Sequence, residues 1–179
     1  HSLIANKKFF SFLNKNATKI LNLKSPFIEK SIYESCLIKK RIVELDEKEK
    51  NLRKILNFGH TFAHAYEATL QYSKKLNHGE AVILGIMNAS KFSLKNNLLS
   101  KDEFELIKNH LIQFKLPIKL RKKVSPKRLN RIISFMKKDK KNNTKKINLI
   151  LLKKIGQPIL NLNFENKKIY SFLKGELIN

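Results

Sequence analysis

The chain has 179 residues, of which 42% are hydrophobic and 12 are Phe, a composition that predicts one packed domain and excludes a disordered tail. The formal charge is +24, from 38 basic and 14 acidic residues. A single cysteine, Cys36, excludes an internal disulfide framework and a cysteine-based structural zinc site.

No run of apolar residues is long enough for a membrane-spanning helix, so no membrane partner is expected. The first residues, HSLIANKKFF, lack an apolar core followed by a small-residue cleavage site, so no signal peptide is predicted. Together with the single cysteine, this favours the reducing cytoplasm. Because the first residue is His rather than Met, we expect a fragment or a processed product.

The basic excess has two explanations. A basic surface is typical of proteins that bind nucleic acid or another polyanion. The charge, however, is mostly Lys in scattered pairs, and Lys, Asn, Ile and Phe are the residues that AT-rich codons encode. We favour the compositional explanation and keep a basic helical binding module as the alternative function.

The first predicted helices lie between residues 25 and 71. Ser25 as N-cap and Pro26 at the first helical position open a helix over SPFIEKSIYESCLIKKRIVELDEKE. A second long helix is predicted from about Leu52 to Gln71. Gly59 falls inside it at a cost of about 1 kcal/mol relative to Ala. A glycine there indicates close backbone approach by a neighbouring helix or a ligand.

Two capping boxes predict the next helix starts. Asn77 with Glu80 opens the helix in NHGEAVILGIMNASKFSLKNN, which is apolar nearly all round and is therefore expected at the centre of the domain. Ser100 with Glu103 opens a helix that extends to about Phe114.

The last third of the chain contains the predicted strands. Ser125 and Pro126 open a helix to about Met136, and the basic loop KKDKKNNTKK follows. Alternation and a Gly-Gln-Pro turn in KINLILLKKIGQPILNLNF predict a β-hairpin near residues 147–164, before a last helix over 166–175. The fold class is thus mainly α: a single domain over 1–179 with about six to seven helices and a small β-hairpin.

The segment NFGHTFAHAYE, residues 57–67, places His60 and His64 four residues apart. Residues at this spacing share one helix face, so the two imidazoles can bind one divalent metal ion, as in the His-Glu-x-x-His zinc proteases. Thr61 stands where those proteases have their general base, which argues against a protease. The alternative for the pair is two structural histidines in a core.

A catalytic zinc ion usually has three protein ligands and one open position. Two histidines and a carboxylate would satisfy this requirement, but spacing alone does not say which two. Helix geometry favours His60 and His64, with His78 as the third.

Five polar residues fall on one face of the second predicted helix and are called the polar row here: Arg53, Asn57, His60, His64 and Glu67. A solvated helix face usually carries Lys and Glu pairs, whereas these residue types are typical of a ligand-binding groove. A metal ion beside an Arg suits a hydroxylated, anionic substrate.

The blocks LRKILNFGHTFAHAYE and LNHGEAVILGIMNAS strongly resemble the C-terminal domain of 3-dehydroquinate synthases, whose pattern is close to LRxLLNxGHTxGHAxE and HGEAVxxGM. The upstream run CLIKKRIVELDEKEKNLR and the downstream run DKKNNTKKINLILLKKIG are also similar to the family. The resemblance therefore extends over nearly the whole chain, and its central block is highly specific.

The resemblance implies the second step of the shikimate pathway. In that step 3-deoxy-D-arabino-heptulosonate 7-phosphate is cyclised to 3-dehydroquinate and phosphate is released, a carbon–oxygen lyase reaction. The family uses NAD and a divalent metal ion, Zn²⁺ or Co²⁺. NAD is bound mainly by an N-terminal domain, and the full-length enzymes are homodimers in the cytoplasm.

The resemblance also assigns roles to residues. His60 and His78 match two metal ligands, and His64 matches a catalytic acid/base, which replaces the geometric choice above. Glu49 matches a proton acceptor. The residues that match substrate-binding positions are Lys39, Arg53, Asn57 and one of Lys140 and Lys141.

Several departures from the family pattern are visible. Ala63 stands where the family usually has Gly, and Asn77 stands where a large apolar residue often precedes His78. The family's NAD-binding domain is absent from this sequence, and its third metal ligand, in a Glu-x-x-Lys motif, is expected immediately before His1. We therefore expect a C-terminal fragment, inactive alone, in which Glu67 or Glu80 would be the alternative third ligand.

Overall fold

The computed structural model describes residues 1–138 and 146–178. Within them lie nine α-helices, and the mainly-α prediction is confirmed. The helices are α1 Ser2–Ala5, α2 Lys7–Lys15, α3 Ala17–Leu21, α4 Phe27–Leu45, α5 His60–Thr69, α6 His78–Lys95, α7 Lys101–Gln113, α8 Leu129–Lys138 and α9 Asn166–Ile178. The count exceeds the prediction because the three short helices before residue 22 have no strong sequence signal.

Helices α5 and α6 lie at the centre of the core. Helix α5 packs against α6 and α8, and α6 also packs against α7 and the hairpin. Phe62, Tyr66 and Leu84 are fully buried between these elements. The ring of Phe92 on α6 contacts Phe172 on α9 at a centroid distance of 5.0 Å. The predicted central position of α6 is therefore correct.

The predicted second helix is wrong in one respect, because it is broken at Gly59. Leu52–Asn57 form a 3-10 helix, and Gly59 has a φ of +83°, after which α5 begins at His60. A Cβ on Gly59 would lie 2.6 Å from the backbone nitrogen of Ile86, and one on Gly85 would lie 2.1 Å from the carbonyl oxygen of Gly59. The predicted close backbone approach is thus confirmed, and the neighbour is α6.

The two predicted capping boxes differ in the structure. The Asn77 side chain accepts a hydrogen bond from the backbone N–H of Glu80, and the Glu80 carboxylate accepts one from the backbone N–H of Asn77. Ser100 accepts from the N–H of Glu103, but the Glu103 carboxylate pairs with Lys7 at 2.6 Å. The first box is complete, and the second is a simple N-cap.

The predicted hairpin is confirmed as an antiparallel pair of strands, β1 Ile147–Lys154 and β2 Gln157–Phe164. The turn lies at residues 155–156, where Gly156 has a φ of +83°, so the Gln and Pro of the expected turn belong to β2. The hydroxyl of Ser93 accepts a hydrogen bond from the backbone N–H of Leu152, which joins the hairpin to α6.

The other boundaries differ slightly from the prediction. Helix α4 begins at Phe27, with Pro26 in the capping position, and a 3-10 turn, Pro126–Arg128, precedes α8. The predicted basic loop begins within α8, which extends to Lys138, and its residues 139–145 lie outside the described residues. Among the described helices, none combines the length and the apolar composition that a membrane crossing requires.

Candidate metal site

Three histidines meet where α5 and α6 begin, and we call them the histidine cluster: His60, His64 and His78. The ring centroids of His60 and His64 are 5.4 Å apart, and those of His60 and His78 are 5.8 Å apart. The His64 and His78 centroids are 6.4 Å apart. The cluster forms because the Asn77 cap starts α6 at His78 and the two glycines let α5 and α6 approach closely.

His78 is held by a carboxylate of the neighbouring helix. Its Nδ1 lies 3.1 Å from Oε1 and 3.3 Å from Oε2 of Glu67. An ionised carboxylate can only accept a hydrogen bond, so Nδ1 must be the donor. In the neutral ring this leaves Nε2 unprotonated and able to bind a metal ion. Metal-binding histidines usually have such a partner on their other nitrogen.

His60 also has the protonation state that a metal ligand needs. Burial lowers its pKa below the ordinary value, and the neighbouring rings of His64 and His78 lower it further. The backbone groups of Phe58 and Asn57 have the smaller, opposite effect and raise the pKa of His60. The buried Nδ1 of His60 forms no hydrogen bond of good geometry with the described residues. A neutral imidazole with an unsatisfied nitrogen fits a metal ligand.

The histidine cluster is not a complete metal site. Within residues 1–138 and 146–178, no group of three or more His, Cys, Asp or Glu side chains is arranged to hold a metal ion. Of the two carboxylates considered as a third ligand, Glu67 is engaged by His78, and Glu80 pairs with Lys123 at 2.7 Å. Lys123 first, and then the N–H of Asn77, lower the pKa of Glu80.

The polar row does not run along one helix, because the chain turns at Gly59. Arg53 and Asn57 lie on the 3-10 helix before this turn, whereas His60, His64 and Glu67 lie on α5. The prediction failed because the chain turns at Gly59, where its backbone packs against α6, and α6 is distant in sequence.

The segment between α4 and α5 contains three of the predicted site residues, Glu49, Arg53 and Asn57, and joins two of them. The Asn57 side-chain amide donates to Oε1 of Glu49 at 2.7 Å. Arg53 donates through its guanidinium to the carbonyl of Glu47 at 2.6 Å. Both side-chain bonds connect the 3-10 helix to the loop that follows α4.

Asp46 organises this loop, although it was not among the predicted site residues. Its carboxylate accepts hydrogen bonds from the backbone N–H groups of Lys50, Asn51 and Arg53 at 2.8–2.9 Å. These bonds, with that of Arg53 the strongest, lower the pKa of Asp46. An Asp at the end of a predicted helix, followed by polar residues, is the signal that could have predicted it.

Of the three lysines predicted to bind substrate, the structure describes Lys39 alone. Lys39 is exposed on α4. Lys140 and Lys141 lie outside the described residues. Their proposed role stays a prediction.

Comparison with protein families agrees with these features. The family model "3-dehydroquinate synthase C-terminal" matches residues 1–142. The 3-dehydroquinate synthase of Pelagibacter ubique is 66% identical over 177 residues, which are 99% of this chain and 48% of that protein. That of Dictyoglomus thermophilum is 39% identical over 98% of this chain and 48% of its own length. The chain thus spans about half the length of the curated relatives that it matches.

Solved structures share the fold at low sequence identity. The 2-epi-5-epi-valiolone synthase of Streptomyces hygroscopicus, solved with NAD⁺ and Zn²⁺ bound, has a TM-score of 0.82 at 18% identity, over 98% of this chain and 48% of that chain. A 2-deoxy-scyllo-inosose synthase solved with NAD⁺ and Co²⁺ has a TM-score of 0.57 at 24% identity, over 72% of this chain and 36% of that chain.

The match to the family model over most of the chain, together with the identity to curated relatives, shows that the chain belongs to the 3-dehydroquinate synthase family and corresponds to its C-terminal half.

Proposed function

We propose that this chain is the metal- and substrate-binding half of a 3-dehydroquinate synthase. The observation that carries the proposal is the histidine cluster. In it, His78 is held by a buried carboxylate, and the buried Nδ1 of His60 has no hydrogen-bond partner of good geometry among the described residues. The 66% identity to the enzyme of Pelagibacter ubique supports this reaction over others catalysed on the same fold.

In this proposal His60 and His78 are metal ligands, and the third ligand comes from a part of the enzyme that these 179 residues do not supply. The bound metal ion, Zn²⁺ or Co²⁺, would acidify vicinal hydroxyl groups of the substrate, while NAD, held mainly by the other half of the enzyme, would accept and return a hydride. The full-length enzyme would be a cytoplasmic homodimer.

The remaining residues bind the substrate and transfer protons. His64, exposed at the edge of the cluster, is the acid/base, and Glu49 is the proton acceptor, oriented by Asn57. The cationic and polar groups that hold the carboxylate, phosphate and hydroxyl groups are Lys39, Arg53, Asn57 and one of Lys140 and Lys141. The carbon–oxygen bond to phosphate breaks as a proton leaves the adjacent carbon. After the hydride has returned, the sugar ring opens to free its carbonyl group, and an intramolecular aldol addition closes the carbocycle.

A chimaera tests the proposal directly. This chain replaces the corresponding half of the Pelagibacter ubique enzyme, and phosphate release from 3-deoxy-D-arabino-heptulosonate 7-phosphate is measured. We expect the chimaera to be active and the variants His60→Ala and His78→Ala to lose activity by more than about 100-fold, since each would remove a metal ligand.

The matched control is His110→Phe. The ring of His110 packs between Phe10, which lies on α2, and Phe114, which lies at the end of α7. This variant should keep its activity. A folded chimaera that stays inactive, or one indifferent to both histidine substitutions, would refute the proposed function.

The formal charge of +24 favours a second candidate, a helical module that binds a polyanion. Such binding should weaken steeply with salt and should not change in His60→Ala or His78→Ala. Titration of a labelled DNA duplex at two salt concentrations distinguishes this candidate from the enzyme.

A further inference from the structure

We propose that Glu67 is a positioning residue, which fixes the ring and the tautomer of His78 so that Nε2 is unprotonated and available to a metal ion. The metal part of this statement rests on the proposed function. The hydrogen bond and its effect on the tautomer do not, so the two can fail separately.

The first argument is burial. Glu67 is only 7% exposed, and a buried carboxylate needs a hydrogen-bond donor to compensate for its lost hydration. Among the described residues, the side-chain donor to both of its oxygens is Nδ1 of His78, at 3.1 and 3.3 Å. The carboxylate thus has a structural requirement for the proton on Nδ1.

The second argument is the exposure of His78 itself. His78 is the first residue of α6, and its side chain is 61% exposed, so packing does little to restrict its ring. Its bond to Glu67 on the neighbouring helix is therefore the contact that fixes the ring orientation. Metal ligands that are held in this way usually keep both their orientation and their basicity.

The third argument is the position of Glu67 on α5. Glu67 lies seven residues after His60 and three after His64, so all three lie on one side of this helix. Helix α5 thus carries one proposed ligand and the group that orients the other. The geometry of His60 relative to His78 therefore depends on the packing of α5 against α6.

The alternative is that Glu67 binds the metal ion itself. An amide is a poor replacement for a carboxylate ligand, but its oxygen still accepts a hydrogen bond from Nδ1 of His78. Glu67→Gln therefore separates the two roles, while Glu67→Met removes both the acceptor and the charge at similar volume.

The first experiment is long-range ¹H–¹⁵N NMR of the imidazole rings in the metal-free chain at about pH 8, where histidines are neutral. We expect the Nδ1–H tautomer at His78 in the wild type and in Glu67→Gln, and the Nε2–H tautomer in Glu67→Met. Glu105→Gln, which makes the same charge change at the Lys108 pair on α7, should leave the spectrum unchanged.

The second experiment is zinc binding by calorimetry with the same variants, after circular dichroism has established that each is folded. We expect Glu67→Met to weaken zinc binding by about 10- to 100-fold, and Glu67→Gln to weaken it less. An unchanged His78 tautomer or an unchanged zinc affinity in Glu67→Met overturns the proposal. An equal loss of zinc affinity in Glu67→Gln and Glu67→Met overturns it as well.

A different result would refute the proposed function. If His60→Ala and His78→Ala leave zinc binding unchanged, these two histidines are not the metal ligands. The tautomer of His78 in Glu67→Met then still decides whether Glu67 positions this ring.

Discussion

At the scale of single residues, two glycines determine how closely His60 and His78 approach each other. Gly59 has a left-handed backbone, and Gly85 packs directly on its carbonyl group. A side chain at either position would separate α5 from α6. The histidine cluster therefore depends on two residues that have no functional group of their own.

We predict that Gly85→Ala lowers the free energy of unfolding by about 1–3 kcal/mol, because its Cβ would lie 2.1 Å from the carbonyl oxygen of Gly59. The zinc affinity should fall as well, since the two helices must move apart. Urea denaturation and calorimetry measure the two effects.

The control for this variant is Gly175→Ala in α9. Apart from the adjacent residues and the backbone of α9 itself, no heavy atom of the described chain lies within 4 Å of the added Cβ. This substitution should stabilise the chain by about 0.5–1 kcal/mol, as Ala is the better helix former. If Gly85→Ala behaved like Gly175→Ala, the close contact between α5 and α6 would not exist in solution.

The burial of His110 predicts how the stability of the fold depends on pH. Its ring lies between those of Phe10 and Phe114, its Nδ1 is 2.6 Å from Oδ1 of Asn14, and burial lowers its pKa to about 4. Between its ordinary pKa of about 6.5 and this value, the unfolded chain binds more protons than the folded chain. The contribution of His110 to stability is therefore present above pH 6.5 and is lost as the pH falls towards 4.

We predict that His110→Phe reduces the loss of stability between pH 7 and pH 4.5, because Phe keeps the ring packing and cannot be protonated. Urea denaturation of both chains at the two pH values measures the difference. An equal loss in the wild type and in His110→Phe would show that His110 is already free to titrate in the folded state.

At the scale of elements, the start of α6 sets the position of His78. The complete capping box of Asn77 and Glu80 holds the first turn, which begins with His78, and the Glu80 carboxylate also pairs with Lys123. Fraying of this turn would displace His78 without any change in the ring itself.

We predict that Asn77→Ala lowers the free energy of unfolding by about 1 kcal/mol and also weakens zinc binding. Ser100→Ala removes the equivalent cap of α7 and should cost similar stability without affecting zinc, because α7 contributes no residue to the histidine cluster. Equal effects of both variants on zinc binding would contradict a specific role for the α6 cap.

The elements also show which parts of the fold could be predicted from sequence. The starts of α6 and α7 and the hairpin were predicted, since caps and alternation are local signals. The break before α5 was not, because the left-handed conformation of Gly59 depends on the backbone of α6.

Some features of the candidate site could likewise be predicted from sequence, and others could not. The spacing of His60 and His64 predicted that they share a face, and the structure brings their rings to 5.4 Å. The bond between Glu67 and His78 joins two different helices and could not be derived from helical spacing. Asp46 was missed because its partners are backbone N–H groups, so its position at the end of a predicted helix, before polar residues, was the only signal of its role.

At the scale of the whole molecule, the chain spans about half of its relatives, and its described residues contain no complete metal site. Both facts agree with the proposed function, in which a carboxylate from another part of the enzyme completes the site. Under the proposed function, a phosphorylated, acidic substrate balances only part of the charge of +24, because most Lys residues are scattered along the chain.

Zinc binding by calorimetry tests most directly whether His60 and His78 are ligands of one metal ion. This chain is compared with the same chain preceded by the segment of the Pelagibacter ubique enzyme that is expected to contain Glu-x-x-Lys. We predict that the extension tightens zinc binding by about tenfold or more, and that His60→Ala or His78→Ala abolishes the gain. Equal zinc affinity with and without the extension, or indifference to both histidine substitutions, would contradict the claim that His60 and His78 are two ligands of a shared metal site.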